Sequence, residues 1–335
     1  MTTRFAAFRL AMALFPLAFL VTILQSGCSG APDPWGASAP SPRVVATFPP
    51  IASWTKKLLG DSGSVHSLCT STGPHHHEFQ VKEGQLLRRA DLFVMNGLTL
   101  DDHFANKLIK GHAPKSMKVL NLGNLLPEDL VLEMPHDHDE AEEAHAGHDH
   151  HNHDHGNKDP HYWLGVPQAT FSIRQLAGEL GKNNPDLKAK VDANAEELIK
   201  TLQDLKAGMV ERLKNKTDRK VITMHESMGY FARSFGFKVV DVIQVDPGAE
   251  PSAPRLVKLL ERCKKTGVRT IIVEPQYPKT SGAAWLSAEL KKAGLEPRLI
   301  EIDPMETFDG DGGPDGDWYV QTLKANLDRL AEGLP

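Results

Sequence analysis

The stretch PDLKAKVDANAEELIKTLQDLKAGMVERLKNK, from Pro185 to Lys216, constrains the fold of this chain more than any other segment. Leu187, Val191, Leu198, Leu202, Leu205 and Val210 recur at near-helical spacing, with charged residues between them. Pro185 stands at the start, where a helix tolerates proline, and no glycine interrupts the pattern until Gly208. At about 1.5 Å per residue, a helix of ~30 residues is a rod of about 45 Å, long enough to run the length of a domain. Whatever lies on its two sides is joined by a stiff spacer, which predicts small relative movement rather than a wide hinge.

Short β-rich runs alternate with amphipathic stretches on both sides of the rod. Before it come VVATF (44–48), SVHSLC (64–69), DLFVMN (91–96) and KVLNL (118–122). After it come KVITM (220–224), KVVDVI (238–243), TIIVEP (270–275) and RLIEID (298–303). Such alternation predicts parallel sheets covered by helices. The expected fold is therefore α/β, with two lobes, each a small parallel sheet with flanking helices, joined by one long rigid helix. The expected limits are 43–166 for the N-terminal lobe, 167–217 for the linking helices and 218–335 for the C-terminal lobe.

The N-terminus carries two arginines, an apolar run from Leu10 to Leu24 broken by Pro16, and small residues leading into Cys28. The run is shorter than the ~20 residues of a spanning helix, so residues 1–27 are expected to be a signal peptide of lipoprotein type. QSGC resembles a bacterial lipobox, which makes Cys28 the expected lipidation site; ordinary signal cleavage is the alternative. The Pro/Ser/Gly/Ala-rich residues 28–42 are expected to be a flexible tether. The chain is thus expected to be exported, periplasmic or at the cell surface, and anchored to a membrane through Cys28. A net charge of −5 with no dense Lys/Arg run argues against a nucleic-acid partner. Cys69 and Cys263 are too few for a disulfide framework and have no zinc-type spacing, so both are expected to be small buried residues.

Histidine is the compositional anomaly. Eight of the sixteen crowd into one acidic, almost anchor-free segment: His136, His138, His145, His148, His150, His151, His153 and His155. A segment of that composition cannot offset its ordering entropy by burial, so residues 133–159 are expected to be a disordered loop that binds several ions weakly. A dispensable solvated loop is the alternative.

Other histidines fall where a parallel α/β fold places ligands, beyond the carboxyl ends of strands. His75 lies in TGPHHHEF after the strand ending near Cys69, His225 follows KVITM directly, and Asp303 closes RLIEID. His161, in KDPHYWLG, lies where the first lobe meets the linking helices. Taken singly, Asp303 could cap a turn before Pro304, and His161 could pack beside Tyr162 and Trp163. Taken together, three imidazoles and one carboxylate suit Zn²⁺ in four-coordinate geometry, with Mn²⁺ less excluded than softer or purely oxygen-seeking ions. DGDGGPDGD (309–317) has glycine and proline where a calcium loop needs ligands and is expected to be a surface turn. The sequence has no HExxH, GxSxG or P-loop motif, so no enzyme activity is expected, although three histidines with an open position would also suit a zinc hydrolase.

These motifs, in order, resemble those of the metal-binding solute-binding proteins of ABC importers, cluster A-I, and in particular the zinc-binding members. The resemblance rests on VVATFPPIASWTKKLLGD, GPHHHEF with RRADLFVMNGLTLDD, DPHYWLGVPQA, TMHESMGYFARSFGFKVV, IIVEPQYP and the closing GDWYVQTLKANLDRLAEGLP, and covers Val44 to Leu334. It implies His75, His161 and His225 as ligands, with Asp303 at the family's variable fourth position. A shifted register would make His77 the first ligand instead. The resemblance makes Glu274 an orienting residue rather than a ligand. The implied function is an extracytoplasmic zinc receptor, a monomer that captures Zn²⁺ between the lobes and delivers it to an ABC permease. A periplasmic zinc buffer or metallochaperone, or a manganese-binding member of the same family, are the alternatives.

Overall fold

A computed structural model of the chain describes residues 33–36, 38–134, 158–245, 247–276 and 282–335. All eight β-rich runs form strands. In the first lobe these are β1 (Arg43–Ala46), β2 (Ser64–Ser67), β3 (Leu92–Met95) and β4 (Lys118–Asn121), connected by α1 (Pro49–Leu59), α2 (Val81–Leu87) and α3 (Asp102–His112). Two helices follow, α4 (Val166–Asn183) and α5 (Lys188–Arg212). The second lobe holds β5 (Lys220–Thr223), β6 (Lys238–Val242), β7 (Thr270–Val273) and β8 (Arg298–Glu301), with α6 (Gly229–Phe235), α7 (Ala253–Thr266), α8 (Gly282–Lys292) and α9 (Trp318–Gly333).

Both sheets are parallel throughout, in the orders β2-β1-β3-β4 and β6-β5-β7-β8. The central strands are buried almost residue for residue while β4 and β8 expose their first two positions, as expected of interior and edge strands covered by helices. In each sheet the order reverses beside its central pair, β1 with β3 and β5 with β7, which opens a crevice at the carboxyl ends. The two crevices supply the loops that build the site.

The rod exists but is shorter than the pattern suggests. α5 has 25 residues, about 37 Å at 1.5 Å per residue, and Pro185–Leu187 form a separate 3₁₀ turn before it. Its inward face is Val191, Ala195, Leu198, Ile199, Leu202 and Met209, whereas Val210 is exposed. Seven residues after Leu202, position 209 returns to the buried stripe, and position 210 has turned past it.

Two features alter the expected organisation. First, Trp35, inside the expected tether, is buried: its indole donates to the Leu86 carbonyl at 3.0 Å, and its ring meets His66 edge-on. Second, α5 is not the only connection. The start of α9 packs Tyr319 against Trp54 of α1, while its end lies over Ile300 of β8, so α9 also spans the lobes. One continuous core runs from Val44 and Phe93 in the first lobe to Phe231, Ile272 and Ile300 in the second. A separate small core, including Ile222, Leu259 and Leu286, fills the other face of the second sheet. A core shared in this way resists separation of the lobes, because opening would expose apolar surface on both. Cys69 and Cys263 are both buried and unpaired.

Candidate metal centre

Each crevice aims short polar loops at the space between the sheets. After β2 the chain reaches a 3₁₀ turn, Pro74–His76, that carries His75. Pro160 and His161 precede another 3₁₀ turn, Tyr162–Leu164, just before α4. His225 follows β5 by two residues, and Glu274 directly follows β7. Beyond β8 the chain bends through Asp303, Pro304 and Met305 to Glu306.

The structure brings together His75, His161, His225 and Glu306, all buried, with one ligand atom from each lying within 4.8 Å of all the others. His75 Nε2 is 3.3 Å from His161 Nε2, and Glu306 Oε1 is 3.3 Å from His225 Nε2. Glu306 Oε1 lies 3.6 Å from His75 Nε2 and 3.8 Å from His161 Nε2. A tetrahedron with arms of about 2.0–2.1 Å, the zinc–imidazole distance, has edges of about 3.3–3.4 Å. Two of these four separations match such an edge and two exceed it by a few tenths of an ångström, so the four atoms would draw slightly together around the ion.

Carboxylates behind the ring set the tautomers of two histidines. His161 Nδ1 donates to Asp159 Oδ1 at 2.8 Å, and the His161 backbone N–H donates to the same oxygen at 2.9 Å. His225 Nδ1 donates to Glu274 Oε1 at 2.9 Å, while Gln276 holds the other Glu274 oxygen at 2.8 Å. With Nδ1 committed to its carboxylate, Nε2 is the nitrogen left facing the centre, and once deprotonated it offers its lone pair there, the arrangement that metal-bound histidines use.

The carboxylate of the cluster is Glu306, whereas strand-end reasoning points to Asp303. Asp303 closes β8 as expected, but its Oδ1 accepts the Met305 N–H at 2.7 Å, and its backbone N–H and C=O pair with the Asn326 side chain. The next turn carries Met305 at φ 64°, which swings Glu306 inward. The signal available in the sequence was that Glu306 is the next carboxylate after Asp303, ahead of the glycine-rich turn. His77 points away from the cluster: its Nε2 lies 2.8 Å from Glu83 Oε1, and its ring packs on Phe104. The roles of Asp159 and Trp163 had no signal in the sequence. The eight histidines from His136 to His155, and Cys28, lie outside the described residues.

The insertion that carries those eight histidines begins and ends at one place. Glu133 and Lys158 form an antiparallel bridge, and the Asp159 N–H donates to the Leu132 carbonyl at 2.8 Å. The Tyr230 hydroxyl, from α6, accepts the Leu132 N–H and donates to the Asp159 carbonyl, both at 2.9 Å.

Burial opposes the charged form of His225, but Glu274 and Glu306 outweigh it and hold its pKa well above the ordinary value. Burial likewise opposes an ionised Glu306, yet His225 and His75 hold its pKa well below the usual range. His75, for which burial dominates over Glu306, is lowered to about 4. In the metal-free protein at neutral pH, His75 is therefore neutral and His225 carries a proton on each nitrogen. A metal needs the Nε2 lone pair, so loading must expel that proton. Zinc loading is expected to release about one proton near neutral pH and to weaken about tenfold per unit of acidification below the His225 pKa. Calorimetric titration in buffers of different ionisation heat reads the proton directly; loading heats independent of buffer contradict this charge assignment.

The sequence model of the family described as zinc-uptake complex component A, periplasmic (ZnuA), matches residues 44–333. The chain belongs to the ZnuA family. Within that family it is 29% identical over 293 residues to the high-affinity zinc uptake system protein ZnuA of Bacillus subtilis, covering 87% of each chain. It is 28% identical over 292 residues to the zinc-binding lipoprotein AdcA of Streptococcus pneumoniae, covering 87% of this chain and 55% of AdcA, so it spans about half the length of that relative. A crystal structure of ZnuA superposes with a TM-score of 0.68 at 24% identity, over 87% of this chain and 98% of the other, and shares its fold. ZnuA membership agrees with the family implied by the sequence motifs. Among the described residues, no helix is long and apolar enough to cross a membrane.

Proposed function

We propose that this chain is an extracytoplasmic receptor that captures Zn²⁺ at His75, His161, His225 and Glu306, between its two lobes, and delivers it to the permease of an ABC importer. The observation that carries the reading is the buried quartet, whose ligand atoms lie within 4.8 Å of one another, with two of the separations at 3.3 Å. Three imidazoles favour zinc over manganese, which prefers more oxygen ligands. Four protein ligands fill a tetrahedral shell and leave no position for the water that a zinc hydrolase activates. The names of the relatives, a zinc uptake protein and a zinc-binding lipoprotein, support the transport role and an anchor at Cys28.

Metal analysis of protein purified without added metal is expected to find one zinc ion that survives dialysis. Deleting residues 136–155 should remove weakly held ions and leave that one. In a strain lacking the chain, growth under zinc limitation should be restored by the chain only when its permease is present. Restoration without a permease would favour a zinc buffer or metallochaperone, and loss of the tight ion on loop deletion would move the primary site into the insertion.

A further inference from the structure

Glu306 follows the last strand of the second lobe, yet the chain around it is bound to the first. The Phe308 N–H donates to the Thr70 carbonyl at 2.9 Å, the Ser67 N–H to the Gly312 carbonyl at 3.2 Å, and the Ser53 hydroxyl to the Asp315 carbonyl at 2.8 Å. On the other side of Glu306 is the indole of Trp163, whose Nε1 donates to the Pro304 carbonyl at 2.8 Å. Trp163 lies two residues after His161, and Pro304 two residues before Glu306, so this hydrogen bond ties one expected ligand turn to another.

The tie acts on a single peptide group. The Pro304 carbonyl and the Met305 N–H are the two ends of one planar unit. Trp163 holds the first end, and Asp303 Oδ1 holds the second. The orientation of this unit fixes φ of Met305 at 64°, a left-handed value that a methionine adopts only when its surroundings impose it. If the unit rotated to give Met305 an ordinary negative φ, the chain would leave along another direction, and the Glu306 carboxylate would leave the three imidazoles. Trp163 cannot itself yield easily. It is fully buried, its ring stands edge-on to Phe48 at 4.7 Å, and its carbonyl accepts the Tyr319 hydroxyl.

We propose that Trp163 and Asp303 are positioning residues for metal capture, holding the Pro304–Met305 peptide in the one orientation that aims Glu306 at His75, His161 and His225. The proposal rests on the reading of those four residues as zinc ligands. It gives Asp303 a role one step removed from the metal, and it makes the first lobe, through Trp163, responsible for a ligand that the second lobe contributes.

A double-mutant cycle tests it, using the whole chain stripped of metal and zinc affinity measured by chelator competition. Trp163→Phe keeps an aromatic ring, smaller than the indole, and removes the N–H, and is expected to weaken zinc about tenfold to a hundredfold. In a Glu306→Ala background the same change should alter affinity less than about twofold, because there is no carboxylate left to aim. The visible spectrum of the Co²⁺-loaded Trp163→Phe protein should resemble that of Glu306→Ala rather than that of the parent. Equal losses in both backgrounds overturn the positioning role while leaving the ligands intact. A Glu306→Ala protein that binds zinc as tightly as the parent overturns the ligand reading and the proposal with it. Should Trp163→Phe fail to fold, benzothienylalanine at position 163 preserves the shape of the indole, lacks the donor and carries the same expectations.

Discussion

Replacing His75, His161 and His225 together with alanine is expected to abolish the tightly held ion, lowering zinc affinity by about five orders of magnitude or more. Four-ligand zinc sites are worth about 10–16 kcal/mol, or about 2.5–4 kcal/mol per ligand if shared evenly, and each 1.4 kcal/mol is about tenfold. Dialysis followed by metal analysis should go from one ion per chain to none. The substitutions also strip Glu274 and Glu306 of the cation that lies against both. Leaving a buried charge without its partner costs about 3–5 kcal/mol, so the metal-free variant should melt at a lower temperature. Circular dichroism then matters as a control: a folded variant that still retains one tight ion places the site elsewhere.

A second large effect is expected far from any ligand. Gly313 lies at φ 87°, and a Cβ there would meet the Ser67 Cβ at 2.6 Å, closer than real carbon atoms approach. Gly313→Val combines a left-handed β-branched residue, at about 1–3 kcal/mol, with a collision of the kind that costs about 1–3 kcal/mol more. Chemical denaturation should show a loss of about 2–6 kcal/mol, a large part of the roughly 5–15 kcal/mol that stabilises an ordinary domain. The Pro304–Asp317 segment should also lift from β2, and zinc affinity should fall with it. Unchanged stability and affinity would show that the segment's contact with the first lobe is incidental.

Most of the architecture was legible because it rests on local patterns. Eight apolar runs with helical spacing between them can hardly form anything but parallel sheets under helices, and Leu198 and Leu202 mark the buried stripe of α5 directly. Val210 marks where the pattern misleads, because one residue of rotation carries it out of contact. The cluster was three-quarters legible for a related reason. His75, His161 and His225 stand in loops fixed by their neighbours in sequence, His225 just beyond a strand end. Glu306 does not: its place depends on the φ of Met305 and on an indole from the other lobe, neither of which leaves a trace in spacing. For the same reason, the crossing of residues 304–317 to the first lobe was hidden. Two of its first-lobe partners are backbone atoms of Thr70 and Ser67, which any sequence would offer, and the side chains of Ser53 and Trp163 bond only its backbone carbonyls. Trp35 was misjudged from composition, since a Pro/Ser/Gly/Ala stretch can still dock through one aromatic side chain.

The clasp at Glu133 and Lys158, closed by the Tyr230 hydroxyl, bears on how such a chain can change over generations. With both ends of the insertion pinned at one point, the entropy of closing it depends only weakly on its length. That cost grows with the logarithm of length, about 0.6 kcal/mol for each doubling. Loop closure by itself therefore sets little limit on adding residues to the insertion or losing them from it in blocks. The residues beyond the clasp have no such latitude: Asp159 is held within hydrogen-bonding distance of His161, and His161 of His75 within the buried quartet. The Tyr230 hydroxyl thus marks a boundary between a stretch whose length is weakly constrained and one whose geometry is fixed.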